Sequence, residues 1–294
     1  MKVKLIQVTQ NPIDVMWTAA RTCYSEKSPI EMWEDINKDN TKFNVLEMEK
    51  HWNLVKKVLD SGHNSIAQHV YFTFVIEGVS RALTHQLVRH RIAVYSQQSQ
   101  RYVEIKEDIG ELCHLSLELK RDAKNKQDKT VATFEKTEKL LEKYFVIEHE
   151  IPETMETLLD DLITYKRYIE HGYKAEDARA VLPNCTKTNI VMSMDLGELM
   201  HVCNLRLCAR AQKEIRDLFK LIKQEVTKVD ERLGSLLVPS CEVHNICFEA
   251  KCCGRKPSID EFLQDQKTVE DLKQRVQDLQ DMIKQNAYER DEND

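Results

Sequence analysis

Residues 69–102 read HVYFTFVIEGVSRALTHQLVRHRIAVYSQQSQRY. The first nine, His69–Glu77, are rich in β-branched and aromatic side chains and predict a buried strand. Ser80 follows as an N-cap candidate for a helix through about Val88. From Glu77 to Glu104 no acidic residue intervenes, yet Arg81, Arg89, Arg91, Arg101, His85 and His90 all fall between them. The whole chain has 49 acids against 43 Lys and Arg, a formal net charge of -6. A cationic, acid-free window in an acidic chain concentrates positive potential, and its natural counterpart is a bound anion. On a continuous helix Arg81, His85 and Arg89 would share one face, with Gln86 beside Arg89. The polar run Ser96–Arg101 reads as a loop whose hydroxyls and backbone N–H groups could wrap a phosphate. A phosphate at one end and a base edge at the other would suit a nucleotide. Two other readings stand beside it: a solvated basic face, and a nucleic-acid stripe, which the acidic net charge disfavours.

Outward from this window, residues 3–9 predict an opening strand, and 12–21 and 45–61 predict helices. Residues 31–40 are polar and read as a loop. Residues 104–150 read as a charged, helix-prone insertion. Helices are expected over 153–171 and 174–182, the latter stopped by Pro183. Residues 186–232 read as long helical segments, with Leu199, Val202, Cys203, Leu205 and Ala209 on an apolar face. After Pro257 the spacing of Phe262, Val269, Leu272, Val276, Leu279 and Ile283 predicts an amphipathic helix, packed on its own protein rather than in a coiled coil. The last residues, from Glu289, are expected to be disordered. The fold class expected is α+β: a helix-rich domain over residues 1–256 around a small mixed or antiparallel sheet, with a helical extension over 257–294.

Hydrophobic residues make up 41% of the chain, enough for a buried core. No apolar run is long enough to cross a bilayer, so no membrane partner is expected. The start, MKVKLIQVTQ, lacks a signal peptide's apolar stretch, and the expected location is the cytoplasm. The seven glycines match neither G-x-G-x-x-G nor a P-loop, so a Rossmann or Walker site is unsupported. Cys241, Cys247, Cys252 and Cys253 cluster with His244, but without paired C-x2-C knuckles they are read as reduced thiols, with no metal expected.

The order Arg89-His90-Arg91, seven residues, then Ser99 and Arg101 resembles the signature of flavin-dependent thymidylate synthases. Upstream, Gly62-His63-Asn64-Ser65 and Gln68-His69 resemble that family's G-H-x-S/T-x-x-E-H segment. Downstream, Arg179-Ala180-Val181-Leu182-Pro183 resembles its A-R-x-V-L-P element, and Leu205-Arg206 with Ala211–Ile215 resembles its L-R and A-Q-x-E-I helix. The resemblance spans most of residues 1–255. It implies conversion of dUMP to dTMP with FAD, NADPH and methylenetetrahydrofolate, in a homotetramer whose sites are shared between subunits, without nucleic acid. By position it implies that Ser65, Arg89, His90, Arg91, Gln97, Asp195, Gly197 and His201 contact FAD. It likewise implies that Gln86, Arg89, Gln97, Gln98, Ser99, Gln100, Arg101, Arg179 and Arg206 hold dUMP, Arg206 being the catalytic arginine. The chain departs from the family's Asn-x-Arg at Asp195-Leu196-Gly197, and carries Gln68 for the usual Glu. Those departures leave two alternatives: a related enzyme modifying pyrimidine C5, such as a hydroxymethylase, or a non-catalytic nucleotide-binding paralogue.

Overall fold

The computed structural model describes residues 1–37, 45–125, 129–147, 152–264, 270, 272–274, 276–277 and 280. β2 (Tyr71–Ser80) is the strand anticipated from HVYFTFVIE, and it is central. It pairs antiparallel with β1 (Lys2–Val8) on one side and β4 (Lys187–Asp195) on the other; β3 (Ala93–Gln97) pairs antiparallel with β4, giving the order β1-β2-β4-β3. Alternation places Phe72, Phe74 and Ile76 of β2, with Ile190, Met192 and Met194 of β4, on one buried face. Gly78 adopts φ 69° where the β2–β4 register shifts between Ile76 and Val79, a bulge geometry that favours glycine. Its N–H donates to Asn189 Oδ1 at 3.1 Å.

Helices α1 (Pro12–Thr22), α3 (Val45–Asp60), a 3-10 turn over Asn64–His69 and α4 (Arg81–Leu87) pack on that face, and α2 (Pro29–Asn37) lies against α1. Residues 29–37 are therefore helical rather than a loop; Met32 anchors this short amphipathic stretch in the interior. α5 (Ile109–Asn125), α6 (Lys129–Leu141) and α7 (Pro152–Glu170) form a second core around Leu112, Leu115, Leu141, Phe145, Leu159 and Leu162. Within the charged 104–150 segment, α5 and α6 thus contribute to a packed helical layer, with Ser116 and Thr137 buried among its apolar side chains. The helix expected over 174–182 is broken into α8 (Ala175–Ala178) and a 3-10 turn over Arg179–Val181.

The expectation of helix from residue 186 fails at its start, where β4 occupies 187–195. Thr188, Ile190, Met192 and Met194 alternate inward there, and pairing on both sides satisfies the backbone. The chain then enters α9 (Leu196–Arg206) and α10 (Lys213–Val229), followed by α11 (Glu231–Ser235), α12 (Ser240–His244) and α13 (Ile259–Gln264). Leu199, Val202 and Cys203 are buried as expected, but Leu205 and Ala209 are exposed. In the tail, Leu272 and Val276 are 46% and 53% exposed, so these two do not pack on the protein. Val269, Leu279, Ile283 and the end from Glu289 lie outside the described residues.

Candidate functional site

Ser80 caps α4: its Oγ accepts from the Leu83 N–H at 2.9 Å, as its place in the sequence anticipates. α4 stops at Leu87, so Arg89 lies in the following turn and not on a common helical face with Arg81 and His85. That turn buries His90 while Arg89 and Arg91 point outward. The Tyr95 hydroxyl of β3 reaches back to the carbonyls of Leu87 and His90, both at 3.0 Å, and pins the turn. Burial, with Glu198 close by, raises the Tyr95 pKa to about 12, so it remains a proton donor.

α9 faces this turn. Asp195 caps α9, its Oδ1 accepting from the Glu198 N–H at 2.8 Å. Gly197 sits against the 3-10 turn: a Cβ there would lie 3.1 Å from Asp195 Oδ1 and 3.4 Å from Gln68 Cγ. Ser65 is on that same turn, exposed. His201, one turn further along α9, meets His90 edge to face with centroids 6.4 Å apart. Arg206, the last residue of α9, donates from Nε to His90 Nε2 at 3.1 Å, and Glu198 Oε1 lies 3.9 Å from His90 Nδ1. Burial, then the charges of Arg206 and His201, lower the His90 pKa to about 4. Burial likewise raises Glu198, which neighbouring Asp195 reinforces and His201 opposes. Among the described residues, the guanidinium groups of Arg89 and Arg91 make no hydrogen bond or ion pair, and neither do the Nη groups of Arg206.

A second group forms beyond β3. Ser96 and Gln97 are strand residues, and the expected polar loop begins only at Gln98. Gln97 turns inward and donates to Thr84 Oγ1 at 3.0 Å. Gln98, Ser99 and Gln100 line a cavity of about 260 Å³ with Tyr144, Lys187 and Thr188. Ser99 Oγ accepts from the Arg101 N–H at 3.1 Å. Arg101 donates to the Glu176 carboxylate at 2.7 Å, while Arg179 donates to the Glu176 carbonyl at 3.1 Å. Hydrogen bonding and charge from Arg101 hold the Glu176 carboxyl below its usual range. Gln86 is tied to Gln212, at the start of α10, at 2.6 Å. No hydrogen bond or ion pair among the described residues joins Ser99, Arg101 and Arg179 to the group around Arg206.

Sequence reasoning missed Glu176, Glu198, Tyr95 and Gln212. Glu176 and Arg179 stand three apart across one helical turn, and Glu198 follows three residues after the Asp195 cap; both spacings were readable. Of the C-terminal cysteines, Cys241, Cys247 and Cys253 line, with Cys208, a separate cavity of about 260 Å³. Among the described residues no three His, Cys, Asp or Glu side chains group to hold a metal ion.

The chain carrying this small antiparallel sheet wrapped in helices matches, over residues 4–230, the family model described as thymidylate synthase complementing protein. The flavin-dependent thymidylate synthase of Clostridium tetani is 37% identical over 263 residues, covering 87% of this chain and 94% of that one. The enzyme of the same name from Pyrococcus abyssi is 35% identical over 232 residues, covering 79% and 81% respectively. The Helicobacter pylori flavin-dependent thymidylate synthase ThyX, solved in complex with FAD and dUMP, superposes with a TM-score of 0.59 at 22% identity, covering 81% of this chain and 100% of that one. The chain belongs to the flavin-dependent thymidylate synthase family, whose members are methyltransferases.

Proposed function

We propose that this chain converts dUMP to dTMP, taking the carbon from methylenetetrahydrofolate and the reducing equivalents from NADPH through FAD. The observation that carries the reading is the bond between Arg206 and His90, which unites the L-R and R-H-R motifs across 116 residues and leaves a guanidinium fork unengaged. The name shared by relatives at 35–37% identity supports methylation over another C5 modification.

The donor set fits a flavin dinucleotide: Arg89 and Arg91 are exposed cations without partners among the described residues, donors suited to a diphosphate. Arg89, His90 and Arg91 would hold it with Ser65, Gln97, Asp195, Gly197 and His201. When bound, FAD supplies the redox chemistry, which no side chain here can. Arg206 presents its Nη groups to the pyrimidine edge and stabilises negative charge developing on N3 and O2, a preorganised contribution on the order of a few kcal/mol. Arginine suits this because it stays protonated at any working pH. Ser99 and Arg101 anchor the dUMP phosphate, Arg179 adds a second cation, and Gln86, Gln98 and Gln100 offer amides, fixing the ring's orientation. Because this group is not bonded to the Arg206 group within one chain, we further propose that sites are completed by another copy, in a cytoplasmic homotetramer. Among the described residues no helix is long and apolar enough to cross a membrane.

Mass spectrometry of the nucleotide products tests the reading. Incubated with dUMP, FAD, NADPH and methylenetetrahydrofolate, the purified protein is expected to yield dTMP. A product of another mass would establish different C5 chemistry, and no flavin binding with no product would leave a nucleotide-binding paralogue.

A further inference from the structure

Arg206 and His90 are joined by one directed bond, and its direction constrains both partners. Guanidinium nitrogens only donate, so His90 Nε2 must be an acceptor at its 3.1 Å distance from Arg206 Nε. The ring is then neutral, with its proton on Nδ1. That nitrogen points toward Glu198 Oε1, 3.9 Å away, which is too long for a hydrogen bond but places a carboxylate on the side where the N–H must be. His90 is 7% exposed, so its ring is largely shielded from solvent. Its backbone is held independently by the Tyr95 hydroxyl at 3.0 Å. Burial keeps the ring unprotonated at neutral pH. Arg206, by contrast, ends α9 and would otherwise turn freely about its side-chain torsions. With Nε tied, the swing of the guanidinium is restricted, and among the described residues its Nη groups keep their N–H donors unengaged.

We propose that His90 is a positioning residue for Arg206: its Nε2 lone pair fixes the plane in which the Arg206 fork meets an anionic pyrimidine. This goes beyond flavin contact for the R-H-R histidine, and it rests on the reading of Arg206 as the group that faces the pyrimidine. Glu198 supports it by favouring the Nδ1–H tautomer.

A double-mutant cycle on full-length, flavin-loaded protein tests it, with dUMP affinity read by calorimetry and turnover measured alongside. His90→Ala and Arg206→Ala are each expected to weaken dUMP binding about tenfold, the scale of one charged hydrogen bond. The double variant is expected to bind no more weakly than Arg206→Ala alone, because His90 acts through Arg206. His90→Gln, whose side-chain oxygen can accept from Nε, is expected to recover part of the affinity, and it stands in if His90→Ala fails to fold. Losses that multiply in the double variant would overturn the positioning role while leaving Arg206 in place. Unchanged dUMP affinity and turnover in Arg206→Ala would overturn the reading of Arg206 itself, and the proposal with it. Full recovery of flavin content by His90→Gln with no recovery of dUMP affinity would also overturn it.

Discussion

Ser80→Ala should destabilise the protein far more than the loss of one surface hydroxyl would. Ser80 is 2% exposed and Glu214, on α10, is 6% exposed. The Glu214 carboxylate accepts from the Ser80 backbone N–H at 2.7 Å and from its hydroxyl at 2.5 Å, and the same hydroxyl accepts from Leu83 N–H at 2.9 Å. One atom therefore caps α4 and satisfies a buried carboxylate. Cap removal costs about 1 kcal/mol. Withdrawing a donor from a buried charged acceptor costs about 1.5–3 kcal/mol. The backbone bond to Oε1 survives, so the expected total is about 3 kcal/mol. Urea unfolding at fixed protein concentration would read this as a lower midpoint with unchanged slope. Glu214→Gln alone should cost less, and the pair should couple, with the double variant losing less than the two single losses added. A Ser80→Ala loss below about 0.5 kcal/mol, the range of ordinary surface substitutions, would refute the reasoning. It would mean that the carboxylate finds another partner or water.

Arg206→Ala should retain flavin but lose turnover by about a hundredfold, measured as dTMP formed per bound flavin, the scale of one lost preorganised donor. Arg101→Ala should mainly weaken dUMP binding, read by calorimetry; its bond to Glu176 predicts that Glu176→Gln has the opposite, smaller effect, since it frees the guanidinium. His90 has a folded pKa near 4 against 6.5 unperturbed, so the unfolded chain binds its proton first. The stability it contributes is present above pH 6.5 and is lost as pH falls toward 4; His90→Gln should flatten the denaturation profile across that window. Gly234→Ala should cost about 1–3 kcal/mol in thermal unfolding, because a Cβ at that position would meet Thr227 Oγ1 at 2.1 Å.

Where sequence reading succeeded, a local signal had no competitor. HVYFTFVIE reads as a strand, which the fold places at Tyr71–Ser80, and Ser80 before Arg81 reads as a cap, because the hydrophobic period changes there from two to that of a helix. It failed at β4, where Lys187–Asp195 shows its alternation only when Asn189, Val191 and Ser193 are known to face the sheet's other side. A central strand flanked by partners on both sides tolerates methionines that also suit a helix. The R-H-R motif was legible as a cluster of cations, but its division was not. Burial of His90 and exposure of Arg89 and Arg91 follow from the end of α4 at Leu87 and from the Tyr95 tether, which are tertiary facts.

The departure at Asp195-Leu196-Gly197 looks, in sequence, like damage to a ligand-binding pair. In the fold these residues have a different occupation. Asp195 ends β4 and caps α9 through Oδ1, a role that aspartate and asparagine fill about equally well, so the acid leaves the helix start intact. Gly197 lies in the first turn, where any Cβ would press on the capping oxygen at 3.1 Å and on Gln68 at 3.4 Å. A side chain there would crowd the capping oxygen, which would have to give by a few tenths of an ångström. Asp195, Gly197 and Gln68 thus form one compact junction, in which the three departures from the family pattern accommodate each other. What the junction gives up is a fork of donors at residue 197; on the proposed flavin reading, Arg89 and Arg91, without partners among the described residues, are the cations that would meet the diphosphate. On this argument Gly197→Arg would strain the junction before it strengthened any ligand contact, and Arg91→Ala would cost this chain more flavin affinity than it would a relative that keeps arginine at the position of Gly197.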